Sequence, residues 1–280
     1  MLVLIILNYK FLIKMELEKV LLVRHALSGG NSGGIIQGQL DFPIQPGYGP
    51  NVQKLTDLII EQEQLKELGQ DVYIHVVHSG LDRTFYTASG VHGRLARRGY
   101  QSSVVPIPEL IERNSGILQG KSYPEAIPIL AKLLPPDTQL EPTAASIYPH
   151  LYSLDEIPGG ENHEASGRRA EQALKKIQAL DGIVVVVGHG IFELNYLKNK
   201  MTDGNILGEN PPAPYQHFSN LSVVRLERPK FKKEDRFPQK LFAVREPLYG
   251  VTGKYGPPNG NGGPNPGNGA TITPMAHTES

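Results

Sequence analysis

The sequence predicts a three-layer α/β/α fold on a mostly parallel central sheet. Three observations lead there. Short runs of β-forming residues alternate with longer stretches of helical periodicity, the pattern of parallel strands joined by crossover helices. The runs at 20–23 and 183–187 hold no polar residue, as strands covered on both faces require. Three runs stop abruptly at polar groups, namely Arg24-His25, the segment His78 to Arg83, and His189. Parallel strands share one carboxyl rim, and in open α/β sheets that rim is where reactive groups gather.

In chain order, the first strand is Lys19-Val20-Leu21-Leu22-Val23, which passes through Arg24-His25 into a loop of Gly, Ser and Asn. Apolar residues at Leu55, Leu58, Ile59, Leu65 and Leu68 predict a helix over 52–68, stopped by Gly69. A second strand is expected over 72–77, a helix following Thr84 to about Arg98, and a third strand near 103–107. The proline-rich stretch 122–158 reads as short helices and loops forming an insertion over the sheet edge. A helix is expected over 161–180, with Glu161 and Glu164 in its first turns. The strand 183–187 then ends at Gly188-His189-Gly190, and another helix follows directly. Residues 219–226 and 241–244 read as a closing hairpin joined by a basic loop at 229–240.

The two ends are of different character. Residues 1–14 (MLVLIILNYKFLIK) read as an extension outside the fold, either an upstream misread of a start at Met15 or, as the second reading, a weak membrane-surface anchor: the apolar run 2–7 is far short of the roughly 20 residues that span a bilayer, and it lacks a signal-peptide cleavage site. The catalytic domain is expected over 15–250. Residues 251–280, rich in Gly, Pro and Asn, cannot bury enough apolar surface to offset their ordering entropy and are expected to be disordered.

Composition narrows the function. The 28 basic and 28 acidic side chains cancel, which argues against a nucleic-acid partner bound through bulk charge. The absence of cysteine excludes disulfides, thiolate catalysis and cysteine-ligated zinc, and it is compatible with a cytoplasmic protein. An Arg-His pair at a strand end puts a nucleophilic imidazole beside a permanent positive charge, which is what phosphoryl chemistry needs. His75 reads as a satisfied core histidine. His92, His150, His163, His217 and His277 read as surface residues, and Arg94, Arg97 and Arg98 as a solvated helix end. His163-Glu164 lacks the spacing of a zinc site, and Arg169 reads as a partner in an internal ion pair.

The ordered motifs carry a resemblance. Val23-Arg24-His25-Ala26 with Ser28 and Asn31; Gln37-Gly38 through Asp41, Pro43 and Ile44; Ser79-Gly80-Leu81-Asp82-Arg83 with Thr87-Ala88; Glu112-Arg113 with Gly116 and Gln119-Gly120; Gly159-Gly160-Glu161 with Glu164 and Arg169; Val187-Gly188-His189-Gly190; and Asn220 follow one another from about Lys19 to Pro247. Together they resemble the histidine phosphatase superfamily, the phosphoglycerate mutase-like fold. Ala26 stands where glycine is usual, Gly188 where serine or threonine is common, and His78 where a small hydroxyl residue is common.

The resemblance implies roles. His25 would take the phosphoryl group, with Arg24, Arg83 and His189 holding its oxygens. Glu112 would act as the acid–base group, Glu109 one turn earlier being the alternative. Asn31, Arg113 and Gly190 would contact the substrate. No metal or other cofactor is implied. The expected function is a metal-independent phosphatase for a small phosphorylated metabolite. The competing readings are a phosphoglycerate mutase and a silent phosphate-recognition module. Against the mutase stand Asn114-Ser115 in place of its aromatic pair and a shorter stretch before His189.

Overall fold

A computed structural model of the chain describes residues 17–65, 67, 72–202, 220–227 and 243–250. Their elements run β1 (Leu17–Arg24), α1 (Gly29–Ser32), α2 (Gly49–Gln62), β2 (Ile74–His78), α3 (Asp82–Arg97) and β3 (Ser102–Pro106). Two single 3₁₀ turns (Pro108–Leu110 and Gly116–Leu118) lead to α4 (Tyr123–Leu133), α5 (Ala144–Ser153), α6 (His163–Gln178) and β4 (Gly182–Gly188). A π-helical stretch, Phe192–Leu197, runs into α7 (Lys198–Thr202), and β5 (Ser222–Glu227) and β6 (Ala243–Gly250) complete the order. The strands form one sheet in the order β3-β2-β4-β1-β5-β6. The first four are mutually parallel, and β5 and β6 run antiparallel at the far edge.

The apolar strands bury both faces. Along β1 the pleat sends Val20 and Leu22 into one core and Leu21 and Val23 into the other. The first core is completed by Ala170, Ala173 and Ile177 of α6, the second by Leu55 and Ile59 of α2 and Val91 and Leu95 of α3. Every residue of β4 is buried, and each buried valine there contributes roughly 1.5–3 kcal/mol over an exposed one. Ion pairs tie the second layer. Asp57 on α2 accepts from Arg94 at 2.5 Å and from Arg98 at 3.0 Å, so the solvated end of α3, where Arg97 and Arg98 are exposed, also reaches α2.

Several boundaries differ from expectation. The helix expected over 52–68 occupies Gly49–Gln62, started by proline in its first turn and ended where Gln64 turns to φ 51°. Asn162 caps α6, its Oδ1 accepting from Ala165 N at 2.8 Å, so Glu161 lies outside the helix and pairs with Arg169. The stretch 122–158 does more than cover an edge. Ala126 and Leu130 of α4 and Ile147 and Leu151 of α5 enter the same core as β1 and β4. The helix after β4 opens with wide π turns in place of α geometry. Residues 1–14, the loop 229–240 and the tail 251–280 lie outside the described residues.

Candidate active site

Strand register assembles the site. Arg24 of β1 is paired with Gly188 of β4, and His78 of β2 with Val187. The next residue on each strand is therefore brought to one rim: His25, His189 and Ser79. His25 N donates to Gly188 O at 3.0 Å, and the two histidine rings stand edge-on with centroids 5.4 Å apart.

His25 is buried, and its Nδ1 lies 2.6 Å from the Ala26 carbonyl. A carbonyl can only accept, so Nδ1 carries the hydrogen and Nε2 keeps a lone pair. Burial, then the charges of Arg83 and Arg24, hold its pKa well below the ordinary imidazole value, against the Ala26 carbonyl. The ring is a neutral nucleophile. Its backbone is braced too: Asn220 Nδ2 donates to His25 O at 2.7 Å, and Ala26 N donates to Thr87 Oγ1 at 2.9 Å.

His189 Nε2 lies 2.9 Å from Ser79 Oγ, itself 2.9 Å from Thr84 Oγ1, which donates to Leu81 O at 2.8 Å. With the Thr84 hydrogen spent on that carbonyl, the chain runs His189 Nε2–H to Ser79 to Thr84. This leaves His189 Nδ1 buried and without a partner among the described residues. Burial, then Arg83 and His25, push its pKa well down. Ser79 and Thr84 had no assigned role in the sequence, because a hydroxyl gives no sign of its partner until the strands are in register.

Arg83 opens α3 and is buried. Nη1 donates to Leu40 O and Nη2 to Gly38 O, both at 2.7 Å, while Nε has no partner among the described residues. Burial lowers its pKa to about 10, with Glu112 and Asp41 opposing, so it stays cationic at neutral pH. Arg24 flanks the pocket from β1. Its guanidinium lies along the turn at Gly190, where a Cβ would be in ordinary van der Waals contact with the guanidinium carbon at 3.4 Å.

Glu112 is held by backbone amides that follow His189. Its Oε1 accepts from Phe192 N at 2.8 Å and Arg113 N at 2.9 Å, and Oε2 accepts from Ile191 N at 3.1 Å. The alternative acid is elsewhere: Glu109 pairs with Lys176 Nζ at 2.7 Å on the surface of α6. Gly116 (φ +53°) fixes the turn after Glu112. A Cβ there would collide with Pro158 O and come within 2.6 Å of Gly160 N, so this loop packs directly on the Gly159-Gly160 segment.

Two residues expected to contact substrate have partners within the protein. Asn31 Oδ1 accepts from Ser28 N at 3.2 Å and Asn220 Nδ2 at 3.4 Å, which leaves only its amide N–H groups for a ligand. Arg113 is buried and its guanidinium is committed to carbonyls: Glu161, Leu151, Tyr152, Leu154 and Asp155, at 2.7–3.4 Å. It clamps the loop before α6. Arg169, as expected, pairs with Glu161, and it also lies 3.9 Å over the Phe192 ring. His75 is satisfied by Asp181 and Ser103. His163 is not a surface residue: its Nδ1 is 2.6 Å from Tyr196 Oη, within an aromatic cluster with Tyr152.

One residue near the site had no sequence signal. Tyr148 on α5 stands against Tyr123 and within electrostatic reach of Arg24, Glu112 and Arg83. Its pKa is raised by burial, against the two arginines. Among the described residues no cluster of three or more histidine, aspartate or glutamate side chains could hold a metal ion, and no helix is long and apolar enough to cross a membrane.

A parallel α/β sheet whose rim presents two neutral histidines and two arginines is the scaffold of a phosphoryl-handling protein. The chain belongs to the histidine phosphatase superfamily (branch 1), whose family model matches residues 20–230. It is 27% identical over 190 residues to the metal-independent phosphoserine phosphatase of Arabidopsis thaliana, covering 66% of this chain and 70% of that one. It is 25% identical over 178 residues to phosphoglycerate mutase-like protein 4 of the same plant, covering 62% and 67%. Among solved structures, a mycobacterial glucosyl-3-phosphoglycerate phosphatase is similar at TM-score 0.56 and 15% identity, over 84% of this chain and 100% of that one. The phosphoglycerate mutase of Bacillus anthracis is similar at TM-score 0.55 and 17% identity, over 83% and 93%.

Proposed function

We propose that this protein is a metal-independent phosphatase that hydrolyses a small phosphorylated metabolite through a phosphohistidine on His25. The observation that carries the reading is the pair of buried groups left open beside the neutral His25 ring: His189 Nδ1 and Arg83 Nε. Buried polar atoms normally have partners, and two without one beside the expected nucleophile would suit a phosphoryl group that offers an oxygen to the arginine N–H and a P–OH to the histidine nitrogen. His25 Nε2 attacks phosphorus as the bond to the alcohol oxygen breaks, and Glu112 gives that oxygen a proton. Arg24 and Arg83 balance the charge on the equatorial oxygens, with the neutral His189 ring beside them. Water then attacks the phosphohistidine, Glu112 takes its proton, and phosphate leaves with His25 neutral again.

Phosphatase is favoured over mutase by Arg113. With its guanidinium spent on five backbone carbonyls, it offers no cation to the carboxylate of a phosphoglycerate. The similarity to a metal-independent phosphoserine phosphatase also favours hydrolysis, and phosphoserine, whose own carboxylate Arg113 would not hold either, is tested beside phosphorylated metabolites without a carboxylate. The test is a panel of phosphorylated metabolites assayed with a chelator, for the parent and His25→Ala. Phosphate release and an acid-labile phosphoenzyme are expected in the parent and neither in the variant. Turnover that survives His25→Ala, or that requires added magnesium, would overturn the reading. Efficient interconversion of phosphoglycerates without phosphate release would favour the mutase.

A further inference from the structure

One carboxyl group near the site has no part in that mechanism. Glu193 stands in the π-helical stretch after His189, its N–H donating to His189 O at 3.3 Å. It is 0% exposed, and neither carboxyl oxygen has a hydrogen-bond partner among the described residues. The group is wedged against β4: a Cβ at Gly188 would lie 2.6 Å from both Glu193 Cδ and Oε1. Gly188 thus gives up its side chain for a carboxyl that arrives from the following turn. The amides of the two preceding residues, Ile191 and Phe192, go to Glu112 and not to Glu193.

A fully buried carboxylate with neither a cation nor a donor is too costly to persist, so the group holds its proton. The ionisable groups within its electrostatic reach are Glu112, on the segment after β3, and Arg24, at the end of β1. Burial and then Glu112 push its pKa well above the usual carboxylate range, against Arg24. Ionisation would put a second negative charge in the wall shared by these two residues. The new charge would compete with a phosphoryl group for Arg24 and repel the incoming dianion.

We propose that Glu193 is a positioning residue for the phosphoryl site: a neutral carboxylic acid packed on Gly188 that keeps the wall behind Arg24 and Glu112 free of a second negative charge, and whose deprotonation weakens the site. The proposal rests on the phosphatase reading only for its link to turnover, so its test uses inorganic phosphate binding as well as kcat/KM. Both are measured against pH for the parent, Glu193→Gln and Glu193→Leu. The leucine variant guards against misfolding, because replacing an unpartnered buried acid by an apolar group of similar size is well tolerated.

In both variants the alkaline loss of phosphate affinity should move to higher pH, giving about 10-fold tighter binding than the parent beyond the parent's own midpoint. The folding equilibrium supplies a readout that needs no ligand. The parent holds a proton that its unfolded chain releases above about pH 4.5. Its stability relative to Glu193→Gln should therefore fall as pH rises through that point, by up to tenfold in equilibrium constant per pH unit. Superimposable binding profiles, or a pH-independent stability difference, would overturn the proposal. A parent that binds phosphate with the expected pH dependence but hydrolyses nothing would sink the phosphatase reading and leave this one standing.

Discussion

Ser79 Oγ lies 2.9 Å from His189 Nε2 and passes that contact on to Thr84, so the second histidine is oriented by a hydroxyl chain anchored at the start of α3. The chain makes the tautomer of His189 a property of the β2–α3 turn. It leaves Nδ1 buried and without a hydrogen-bond partner among the described residues.

Ser79→Ala should therefore strip a buried N–H of its acceptor, costing about 1–3 kcal/mol in stability. It should lower kcat about 10–100-fold by misplacing the ring, with KM changing less. Ser79→Thr should rescue part of the loss. An alanine variant with unchanged kcat would show that the relay does not position His189.

The two histidines predict an acid-side pH dependence. Both have native pKa values well below 6.5, so on acidification the unfolded chain binds protons that the folded protein refuses. Unfolding free energy should then fall as pH drops below about 6.5, with a limiting slope of about 1.4 kcal/mol per pH unit for each histidine. In kinetics, the acid limb of kcat/KM should lie below the ordinary imidazole range, because His25 stays a nucleophile there. Denaturant titrations and a pH–rate profile check the two halves separately.

Arg113 should be structural. Arg113→Met leaves several buried carbonyls without donors and should cost more than about 3 kcal/mol, seen as a lowered denaturation midpoint. Arg113→Lys should recover only part, since an ammonium cannot span the same carbonyls. If instead KM rises with stability unchanged, Arg113 touches the substrate after all.

Glu112→Gln should slow hydrolysis by about 10²–10⁴-fold, less for substrates with good leaving groups that need no proton. Glu109→Gln, at a carboxylate paired with Lys176 on the surface, should change turnover by less than about twofold, the usual scale of a surface ion pair. Reversal of these two results would move the acid role one turn back along the chain.

A chain trimmed to residues 15–251 should keep its turnover, because every side chain placed in the site lies between Arg24 and Asn220 and β6 ends at Gly250. Loss of folded, active protein on trimming would give one of the ends a role in the fold.

Much of this protein is written locally. The unbroken apolar runs at Val20–Val23 and Ile183–Val187 specify two-sided burial, and a strand that breaks into Arg24-His25 or Gly188-His189 marks a rim, since side-chain polarity and chain direction are both local properties. The order of those motifs carried the family. Which donors point at the pocket and which are spent elsewhere was decided only by packing. Arg113, read as a substrate contact, is exhausted by the carbonyls of Leu151 to Glu161, while Arg24, read as a phosphoryl holder, lies within electrostatic reach of both histidines. Tyr148 reaches the site because α5 folds back over it from a stretch with no motif. Glu193 drew no notice in the sequence, because its setting depends on Gly188, five residues back and across a turn. Hydrogen-bond partners and electrostatic neighbours are set by distances between segments far apart in the chain, and only the tertiary structure provides those.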